Sequence, residues 1–319
     1  MKYDIVALGE MLIDFTEYGV SEQGNPLFEA NPGGAPCNLL AMAAKLGHKC
    51  AFIGKVGDDI FGRQLRQAAQ EAGIDTAALL SDPSAPTTLA FVKNAENGER
   101  EFTFLRDNGA DIALRVEDLP ECMLRNTRIF HYGSLSMTLE GVRAATRRAI
   151  AIAKEGGALL SFDPNLRPAL WKSPDEAKAQ IAWGLAQCDI LKVSDDELQF
   201  MTGEDEVAGG ALALQQQYPN IRLLCVTSGA DGSRAFYDGG NVCIPAYHLG
   251  GTIDTTGAGD TFGGCMLHHV LLHGIDQLQD SLPQALRFAN AAAYLVTTRK
   301  GALRSMPTLE EILAVVDSQ

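Results

Sequence analysis

The sequence predicts an α/β protein in which repeated βα units build a mostly parallel sheet that carries a small β lid. Short apolar runs bounded by Gly, Pro or Asp alternate with longer Ala- and Leu-rich stretches of helical period, which is typical of βα repeats. Two further stretches are poor in helical period and break this alternation. With 319 residues, of which 46% are hydrophobic, the chain is long enough to bury a large core.

The order of the elements follows from these runs. The apolar runs predict strands at Ile5–Gly9, Cys50–Val56, Ile129–Gly133, Ala158–Asp163, Ile190–Ser194 and Leu223–Ser228. The stretches of helical period predict helices at Ala35–Leu46, Phe61–Ala72, Leu139–Glu155, Ser173–Ala186, Asp195–Thr202 and Ala208–Tyr218. Gly47, Gly73 and Gly203 stand just past three of these helices, where a left-handed residue commonly ends a helix.

The predicted lid comes from the two exceptional segments. Thr87–Leu105 contains two β-rich pieces around Asn97-Gly98, a dipeptide that favours a hairpin turn. Leu12–Pro32 is short and polar. Neither segment has the composition of an interdomain linker, so we expect one domain, residues 1–319, with a lid formed by about residues 12–32 and 86–111. A lid of this kind could cover a site and exclude water, although the pattern fits an ordinary edge hairpin equally well.

Charge and cysteine content exclude several classes of protein. Lys and Arg number 26 against 40 Asp and Glu, for a net charge of −14, so we expect no nucleic-acid partner. An anionic ligand would have to be met by backbone N–H groups, a few cations or a metal. The seven cysteines include no C-x-x-C pair, which favours the reducing cytoplasm. We expect neither a signal peptide nor a membrane partner, because Asp4 and Glu10 interrupt the first apolar run.

The strongest chemical signal is the segment from Asp254 to Gly264, which reads DTTGAGDTFGG. Gly257 and Gly259 allow successive N–H groups to point outward at the start of a helix, which makes an anion-binding nest. Such a nest would hold a transferring phosphoryl group while Asp260 accepts a proton from the attacking hydroxyl. Taken alone, this spacing is more often a Gly-rich turn with an idle carboxylate at a helix N-terminus.

A second Gly-rich segment, from Asn31 to Asn38, reads NPGGAPCN and leads into a predicted helix. Gly33 and Gly34 allow the backbone to approach a ligand closely, and Asn38 offers a donor and an acceptor to a polyol. The segment lacks the G-x-G-x-x-G pattern of dinucleotide-binding folds. The P-loop pattern is also missing, because Gly54-Lys55 is followed by valine.

The order of the motifs resembles that of the ribokinase-like, PfkB-type carbohydrate kinases. The segments that carry the resemblance span nearly the whole chain and are Gly33–Asn38, Gly54–Gly62, Asp163–Pro168, Lys192–Leu198, Thr227–Gly232 and Asp254–Phe262. The resemblance implies an ATP-dependent phosphotransferase with the ribokinase-like fold, a three-layer α/β/α arrangement with a mostly parallel central sheet and a small β lid over a sugar. A homodimer formed through the lids would be consistent with the exposed edges of the hairpin.

The resemblance also implies roles for single residues. The catalytic set would be Asp260 as the general base, with Gly257, Ala258 and Gly259 as the anion hole. The sugar would be bound by Asp14, Gly33, Gly34, Asn38 and Arg167, together with Asp260. Without the motif, Asp14 would be a capping or surface carboxylate, and Arg167 would as readily be a surface ion-pair partner.

On the nucleotide side, the resemblance implies contacts to ATP from Asn165, Lys192, Thr227, Ser228, Gly229, Gly232 and Asn290. Glu197 would hold Mg²⁺ through water, although Ser194 stands where the family often has asparagine. The segment Val296–Ser305, which reads VTTRKGALRS, is similar, together with Asp254 and Thr256, to the loop that binds a monovalent cation in the family. The resemblance therefore implies a K⁺ site. Its members would be Asp254, Thr256, Val296, Arg299, Gly301 and Ser305.

Substrate choice is expected on the lid strand that includes Glu101–Asp111. Phe102 and Phe104 share one face by the period of two and could wall a sugar, while Arg106 could reach its polar edge. The segment resembles fructokinases more than ribokinases, which favours D-fructose phosphorylated to fructose 6-phosphate. Arg106 and Arg167 could instead bind the carboxylate of 2-keto-3-deoxygluconate. A nucleoside kinase, such as one for aminoimidazole riboside, stays open as well.

Two other classes of protein come into question. The fold alone is compatible with a regulator that binds a sugar without catalysis, since fold does not establish function. His268, His269 and His273 invite a zinc site, but no H-E-x-x-H motif or cysteine partner accompanies them. A surface histidine cluster is the expected alternative.

Overall fold

The structure is a computed structural model that describes residues 2–94 and 100–318. The strands in chain order are β1 (Tyr3–Leu8), β2 (Leu12–Val20), β3 (Pro26–Gly33), β4 (Cys50–Gly57), β5 (Ile74–Asp75), β6 (Leu79–Asp82), β7 (Leu89–Asn94), β8 (Arg100–Leu105), β9 (Thr127–Gly133), β10 (Leu159–Asp163), β11 (Ile190–Ser194), β12 (Leu223–Thr227), β13 (Ser233–Tyr237) and β14 (Gly240–Ile244).

The helices lie mainly between the strands of the large sheet. They are α1 (Ala35–Lys45), α2 (Ile60–Glu71), α3 (Glu121–Arg125), α4 (Glu140–Glu155), α5 (Pro174–Leu185), α6 (Asp195–Thr202), α7 (Val207–Gln217), α8 (Ala258–His273), α9 (Leu282–Thr297) and α10 (Leu309–Val316). Short 3₁₀ turns cover Ala110–Ala113, Val116–Asp118, Leu135–Met137, Pro168–Leu170 and Gly229–Asp231.

The central sheet has the order β14-β13-β12-β11-β10-β9-β1-β4-β5, with β6 also paired to β4. Pairing is parallel from β12 through β5, and antiparallel only where β13 and β14 join. Helices cover both faces, so each face has its own core, one around Phe52 and Phe262 and one around Phe130, Tyr132 and Phe162. The carboxyl ends of the parallel strands therefore meet at one edge, where ligand sites form in such sheets.

A separate sheet of order β3-β2-β7-β8 forms the lid. Its β2 pairs antiparallel with β3 and parallel with β7, while β7 and β8 form an antiparallel pair. Phe15 anchors this sheet, because its ring stacks on Phe91 at 5.0 Å and meets Phe61 of α2 edge-on at 5.6 Å. The small sheet is thus fastened to the main body by aromatic packing.

The predicted hairpin is confirmed as an antiparallel pair, although β7 begins at Leu89 rather than at Thr87. Thr87 bonds Asp59 and Thr88 bonds Asp111 instead of extending the strand. The predicted turn at Asn97-Gly98 lies outside the described residues. The polar segment Leu12–Pro32 proves to be two lid strands, β2 and β3.

Most predicted elements coincide with observed ones within one or two residues, and the ribokinase-like α/β fold is confirmed. Gly47, Gly73 and Gly203 have φ values of 89°, 81° and 78°, as their predicted role past helix ends requires. The antiparallel pair β13–β14 and the helices α9 and α10 lie outside the elements whose bounds the sequence predicted. No helix among the described residues has the length and apolar character needed to cross a membrane.

Candidate active site

A cavity of about 180 Å³ lies between the lid and the carboxyl edge of the central sheet. The structure brings to it most residues predicted for sugar and phosphate, which are Asp14, Gly34, Asn38, Phe104, Asn165, Arg167, Lys192, Gly257, Gly259 and Asp260. The cavity is also lined by six residues that were not predicted as site residues, Glu10, Leu12, Ala35, Val92, Leu135 and Thr255, and by Thr256, which was predicted for the cation loop. Glu10 carried a signal, since an acidic residue between apolar residues at the end of a strand is unusual in a core.

Asp260 lies in the first turn of α8 and is half-buried. Its Oδ2 accepts a hydrogen bond of 2.8 Å from Nδ2 of Asn38, which lies on α1. Burial raises the pKa of Asp260 to about 6, and the nearby Asp163 carboxylate adds to the rise, against the lowering by Asn38. A carboxylate with this pKa is ionised near neutral pH and still basic enough to take a proton.

The helix begins at Gly257, whose φ of 80° is left-handed. A Cβ at Gly257 would lie 2.6 Å from the Cβ of Ala302, so a glycine is needed for space as well as for conformation. Thr261 closes the first turn with two bonds to the Gly257 carbonyl, from its N–H and its hydroxyl. The N–H groups of the first turn have no acceptor within their own helix and face an anion with the positive end of the helix dipole.

A buried charged cluster lies beside the nest. Lys192 Nζ is 3.0 Å from Asp163 Oδ2, and a Cβ at Gly259 would lie 2.9 Å from the same Nζ. Burial opposes the charged form of Lys192, but the carboxylates of Asp163, Glu197 and Asp260 raise its pKa above the ordinary value. The ammonium group therefore stays charged directly behind the nest.

Glu197 has a structural task of its own. Its two carboxylate oxygens accept from the N–H groups of Leu166 (2.7 Å) and Ser194 (2.8 Å). Ser194 caps α6 by accepting from the N–H of Glu197, which gives the serine at this position a clear role as half of a capping box. Burial raises the pKa of Glu197, helped by Asp163. Asn165, two residues after Asp163, has a φ of 44°, in the left-handed region that asparagine adopts more readily than most residues with a side chain.

A second cavity, of about 280 Å³, adjoins the first. Of the predicted ATP-binding residues it includes Gly229, Gly232 and Asn290, and it adds Tyr247, His248 and Tyr294 among others. These aromatic residues were missed because they lie outside any periodic run or motif. Thr255 lines both cavities, so the two spaces meet at the start of α8.

Three predicted nucleotide contacts need qualification. The amide of Asn290 is held by protein groups, since it accepts from Ser233 Oγ and donates to the carbonyls of Ile244 and Pro245. Thr227 and Ser228 do not line the second cavity, and instead shape its loop through bonds to the carbonyls of Val193 and Gly232. Asn290 and this loop thus build the wall of the cavity.

The predicted cation loop is assembled around Asp254. Its Oδ1 accepts from the N–H and hydroxyl of Thr256, and its Oδ2 accepts from the N–H of Gly301 at 3.3 Å. Ser305 bonds the Gly301 carbonyl, and Arg299 bonds the Ser305 carbonyl. The backbone of Val296 ends the same turn, where it accepts from Arg299 N–H. The structure thus brings all six predicted residues into one loop system.

The three residues predicted on the lid strand have different outcomes. Phe104 lines the cavity, whereas the side chain of Phe102 lies outside what the structure describes. Arg106 is buried and does not line the cavity, because its guanidinium is turned to Asp111 (2.7 Å), to the Thr138 hydroxyl and to the Leu135 carbonyl. The direct sugar contact predicted for Arg106 therefore finds no support in this geometry.

Gly33 also stands outside the cavity lining, but a Cβ there would lie 2.5 Å from Asp14 Oδ2. The glycine is required so that β3 can pass beside the Asp14 carboxylate. The histidines do not form a zinc site: within residues 2–94 and 100–318 no group of three metal-binding side chains could hold an ion. His268 hydrogen-bonds His48 at 2.7 Å, and His269 bonds Ser281.

The two cavities meet at a helix N-terminus, and the lid covers one of them, an arrangement that suits an α/β enzyme with two small-molecule ligands. Residues 2–309 match the profile described as "pfkB family carbohydrate kinase", and the chain belongs to this family. The kinase class predicted from the ordered motifs is thereby confirmed.

Known relatives cover the chain nearly end to end. It is 42% identical over 318 residues to a probable fructokinase-2 of Arabidopsis thaliana, spanning 99% of this chain and 96% of that protein. It is similar to the crystal structure of fructokinase with bound ATP from Xylella fastidiosa, at a TM-score of 0.90 and 32% identity over 100% of this chain and 99% of that one. A fructokinase from Vibrio cholerae O395 in fructose, ADP and potassium ion bound form has a TM-score of 0.88 at 32% identity, covering 99% of each chain.

Proposed function

We propose that this carbohydrate kinase transfers the γ-phosphoryl group of ATP to the primary hydroxyl of D-fructose and so forms fructose 6-phosphate. Support for the substrate comes from the full-length relatives, which are fructokinases. The single observation that carries the chemistry is the meeting of the two cavities at the start of α8, with the Asp260 carboxylate beside the nest. An acceptor in one cavity and ATP in the other would face each other across this helix terminus.

Asp260 is the proposed general base. Fructose in the first cavity places a hydroxyl within reach of the carboxylate, which takes the proton as the hydroxyl oxygen attacks phosphorus. The hydrogen bond from Asn38 occupies Oδ2 and leaves Oδ1 for the hydroxyl. The raised pKa of about 6 keeps Asp260 ionised at neutral pH and well matched to proton transfer.

The nest and Lys192 supply the charge stabilisation. Negative charge on the transferring phosphoryl oxygens is met by the N–H groups of Gly257, Ala258 and Gly259, backed by the ammonium group of Lys192. Asn165 and Arg167 line the same cavity from the adjacent loop. Phosphoryl transfer requires positioning and charge stabilisation more than covalent assistance, and these groups provide both.

The charged cluster around Lys192 fits an Mg²⁺ ion that is bound together with ATP. Mg²⁺ prefers oxygen ligands, keeps several waters and relies on substrate phosphates, which agrees with a site that has buried carboxylates but no three-residue metal cage among the described residues. Glu197 and Asn165 would hold it, Glu197 through water. When bound with ATP, Mg²⁺ neutralises charge on the phosphate oxygens.

The loop around Asp254 fits K⁺. The half-buried Asp254 carboxylate already orders the backbone of Thr256 and Gly301 and keeps carbonyl groups of the same turn close to one negative charge, and hard cations prefer such oxygen sets. The proposed ligands are the six residues of the predicted loop, from Asp254 to Ser305. We propose K⁺ activation on this basis, with support from the potassium-bound relative.

The chain would work as one domain whose lid closes over the sugar. The lid sheet contributes Leu12, Asp14, Val92 and Phe104 to the first cavity, so its closure would exclude water and limit wasteful ATP hydrolysis. The lid also exposes Tyr18, Val20, Leu27 and Phe28. We propose that these residues form a homodimer interface, which analytical ultracentrifugation of Phe28→Glu would test by its shift towards monomer.

The rival acceptor, 2-keto-3-deoxygluconate, is less well supported. Arg106 is already paired with Asp111, and the cavity includes the carboxyl groups of Glu10, Asp14 and Asp260, which disfavour a sugar acid. The test is kcat/KM with MgATP and K⁺ for fructose, 2-keto-3-deoxygluconate, ribose, adenosine and aminoimidazole riboside. We expect fructose to lead; turnover of only the keto-acid would contradict the substrate assignment. No turnover with any of the five acceptors would leave the proposed chemistry without support, and a wider panel of acceptors would be tested before a binding protein is considered.

A further inference from the structure

Glu10 is a buried carboxyl group that the proposed chemistry does not use. It follows the end of β1, is 3% exposed and lines the sugar cavity. Its Oε1 accepts a hydrogen bond of 3.0 Å from the N–H of Ala35, the first residue of α1. Burial of a carboxyl group is costly unless its hydrogen bonds are made. The bond from Glu10 to the start of α1 therefore indicates that Glu10 has a role at this helix terminus.

Helix α1 has no cap of its own. The residue before it is Gly34, which has a φ of 124° and no side chain to accept a helix N–H group. A Cβ at Gly34 would collide with the backbone carbonyl of Glu10. Glu10 therefore holds the turn at Gly34 and Ala35 from two sides, with its carbonyl packed against Gly34 and its carboxylate on the Ala35 N–H.

The first turn of α1 leads directly to Asn38. The Asn38 N–H donates to the Gly34 carbonyl at 2.9 Å, and its side-chain Nδ2 donates to Asp260 Oδ2 at 2.8 Å. Helix α1 packs so closely on α8 that a Cβ at Gly264 would lie only 2.8 Å from the Leu39 carbonyl. The direction of the Asn38 amide is thus fixed by how α1 begins.

We propose that Glu10 is a positioning residue for the general base: by capping α1 through Ala35, it aims the Asn38 amide at Asp260. The role is indirect, because the chain of contacts runs from Glu10 to Ala35, through the first helical turn to Asn38, and then to Asp260. The inference rests on the proposed function only for its kinetic readout. Its structural readout is independent of any substrate.

The charged surroundings of Glu10 allow this role to be separated from a direct effect of charge. The ionisable groups that face it are Arg106 and Asp111 from beneath the lid and Cys37 on α1, and Asp14 and Asp260 share its cavity. Burial raises the pKa of Glu10 to about 7, so Glu10 carries only part of a negative charge in the pH range where Asp260 titrates, and removal of that charge would lower the pKa of Asp260. Loss of the Asn38 hydrogen bond would raise that pKa, so the two explanations predict opposite signs.

The kinetic test compares the acidic limb of the kcat profile against pH in Glu10→Leu, Glu10→Gln and the wild type. Glu10→Leu removes the acceptor, and we expect the limb to move up by about half a pH unit or more. Glu10→Gln keeps an oxygen for the Ala35 N–H and should restore the limb to its wild-type position. Ser173→Ala, which removes the cap of α5, is the matched control and should leave the limb in place.

Three outcomes would overturn the proposal. A downward shift in both Glu10 variants would assign the effect to charge, and an unmoved limb in Glu10→Leu would reduce Glu10 to a stabilising cap. In a double-mutant cycle, Glu10→Leu added to Asn38→Leu should move the limb no further, whereas additive shifts would contradict the relay. If Glu10→Leu does not fold, Glu10→Ala takes its place.

A measurement without turnover keeps the inference separate from the substrate assignment. In the NMR spectrum of the ligand-free protein, loss of the Glu10 acceptor should shift the side-chain NH₂ signals of Asn38, and Ser173→Ala should leave them unchanged. Unmoved Asn38 signals in Glu10→Leu would refute the relay even if fructose is the substrate. Shifted signals in a protein that phosphorylates no sugar would support the relay and reject the proposed function.

Discussion

At the scale of single residues, the site depends on the environment of one carboxyl group. Asp260 would titrate near its usual acidic value in water, but burial raises its pKa to about 6 and Asn38 keeps one oxygen in place. The same aspartate would be catalytically idle at an exposed helix N-terminus. The GAGD pattern alone could not distinguish these cases, because burial by α1 and by the lid depends on residues far away in the sequence.

Asp260→Asn tests the base directly. The amide keeps the size of the side chain but cannot accept the hydroxyl proton, so kcat should fall by about 10²-fold or more. The KM for ATP should change little, because the second cavity does not include Asp260. Steady-state kinetics with fructose as acceptor measures both constants. Full turnover by the variant would refute the role of Asp260.

The raised pKa of Asp260 also predicts that ionisation of this group, which the proposed base needs, lowers the stability of the folded protein. Because the folded state binds the Asp260 proton more tightly than the unfolded state, stability is lost as pH rises from the ordinary value of 3.8 through about 6. Above this window the ionised group costs up to about 3 kcal/mol. Asp260→Asn should therefore unfold at a higher temperature than the wild type at about pH 8, and with a smaller advantage at about pH 4.

Calorimetry of the wild type and of Asp260→Asn across this pH range measures the two unfolding temperatures and so tests the prediction. A variant less stable than the wild type by the same amount at both pH values would show that the carboxylate is not strained by burial. The comparison needs no substrate, so it tests the electrostatics of the site independently of which substrate the site binds.

Gly257 tests the nest. Gly257→Ala adds a Cβ at a φ of 80° and 2.6 Å from Ala302, which should displace the first turn of α8 and lower kcat about 10²-fold. Gly274→Ala is the matched control, because Gly274 ends the same helix with a φ of 79° and open space around it. The control should lose stability from backbone strain alone. Equal losses of kcat in the two variants would contradict a special role for the nest.

At the scale of elements, the parallel sheet delivers side chains to the site and the lid sheet closes it. The ends of β1, β10 and β11 supply Glu10, Asp163 and Lys192 to the same edge. This convergence was predictable, because parallel strands end at one edge. The lid strands β2 and β3 were harder to predict, since they are polar, are exposed on one side and pair with β7 from a distant part of the chain.

Phe104→Ala tests the lid. Phe104 lines the first cavity from β8, where we propose that fructose binds, so its truncation should raise the KM for fructose about tenfold and admit water to the bound ATP. ATP hydrolysis without sugar should rise. The neighbouring Leu105 is 57% exposed, and Leu105→Ala should change neither quantity. A Phe104 variant with wild-type KM would place the sugar elsewhere.

At the scale of the whole molecule, ordered motifs predicted the class of protein better than any single residue did. The six segments lie far apart in the sequence, yet most of them meet at the two cavities, which is why their order carried information. Arg106 shows the limit of this reasoning. Strand parity placed it on the sugar face, but a buried partner, Asp111, draws its guanidinium away from the cavity.

The walls of the second cavity, the proposed ATP site, could not be predicted from the sequence either. Tyr247, His248 and Tyr294 come together from an irregular loop and from α9, and neither periodicity nor motif marks such a contact. Only tertiary packing brings them beside Gly229 and Gly232. Prediction from sequence therefore succeeds where residues are fixed by a local backbone motif, and fails where they meet through packing.

The most direct test of the account is the product formed from ATP and ¹³C-labelled fructose, followed by ³¹P and ¹³C NMR with Mg²⁺ and K⁺ present. We predict one fructose 6-phosphate for each ADP released, with phosphorus coupled to the C6 carbon, and a rate that falls about 10²-fold in Asp260→Asn. ADP accompanied only by free phosphate, or phosphorylation at another carbon, would contradict the proposed transfer to the primary hydroxyl at C6.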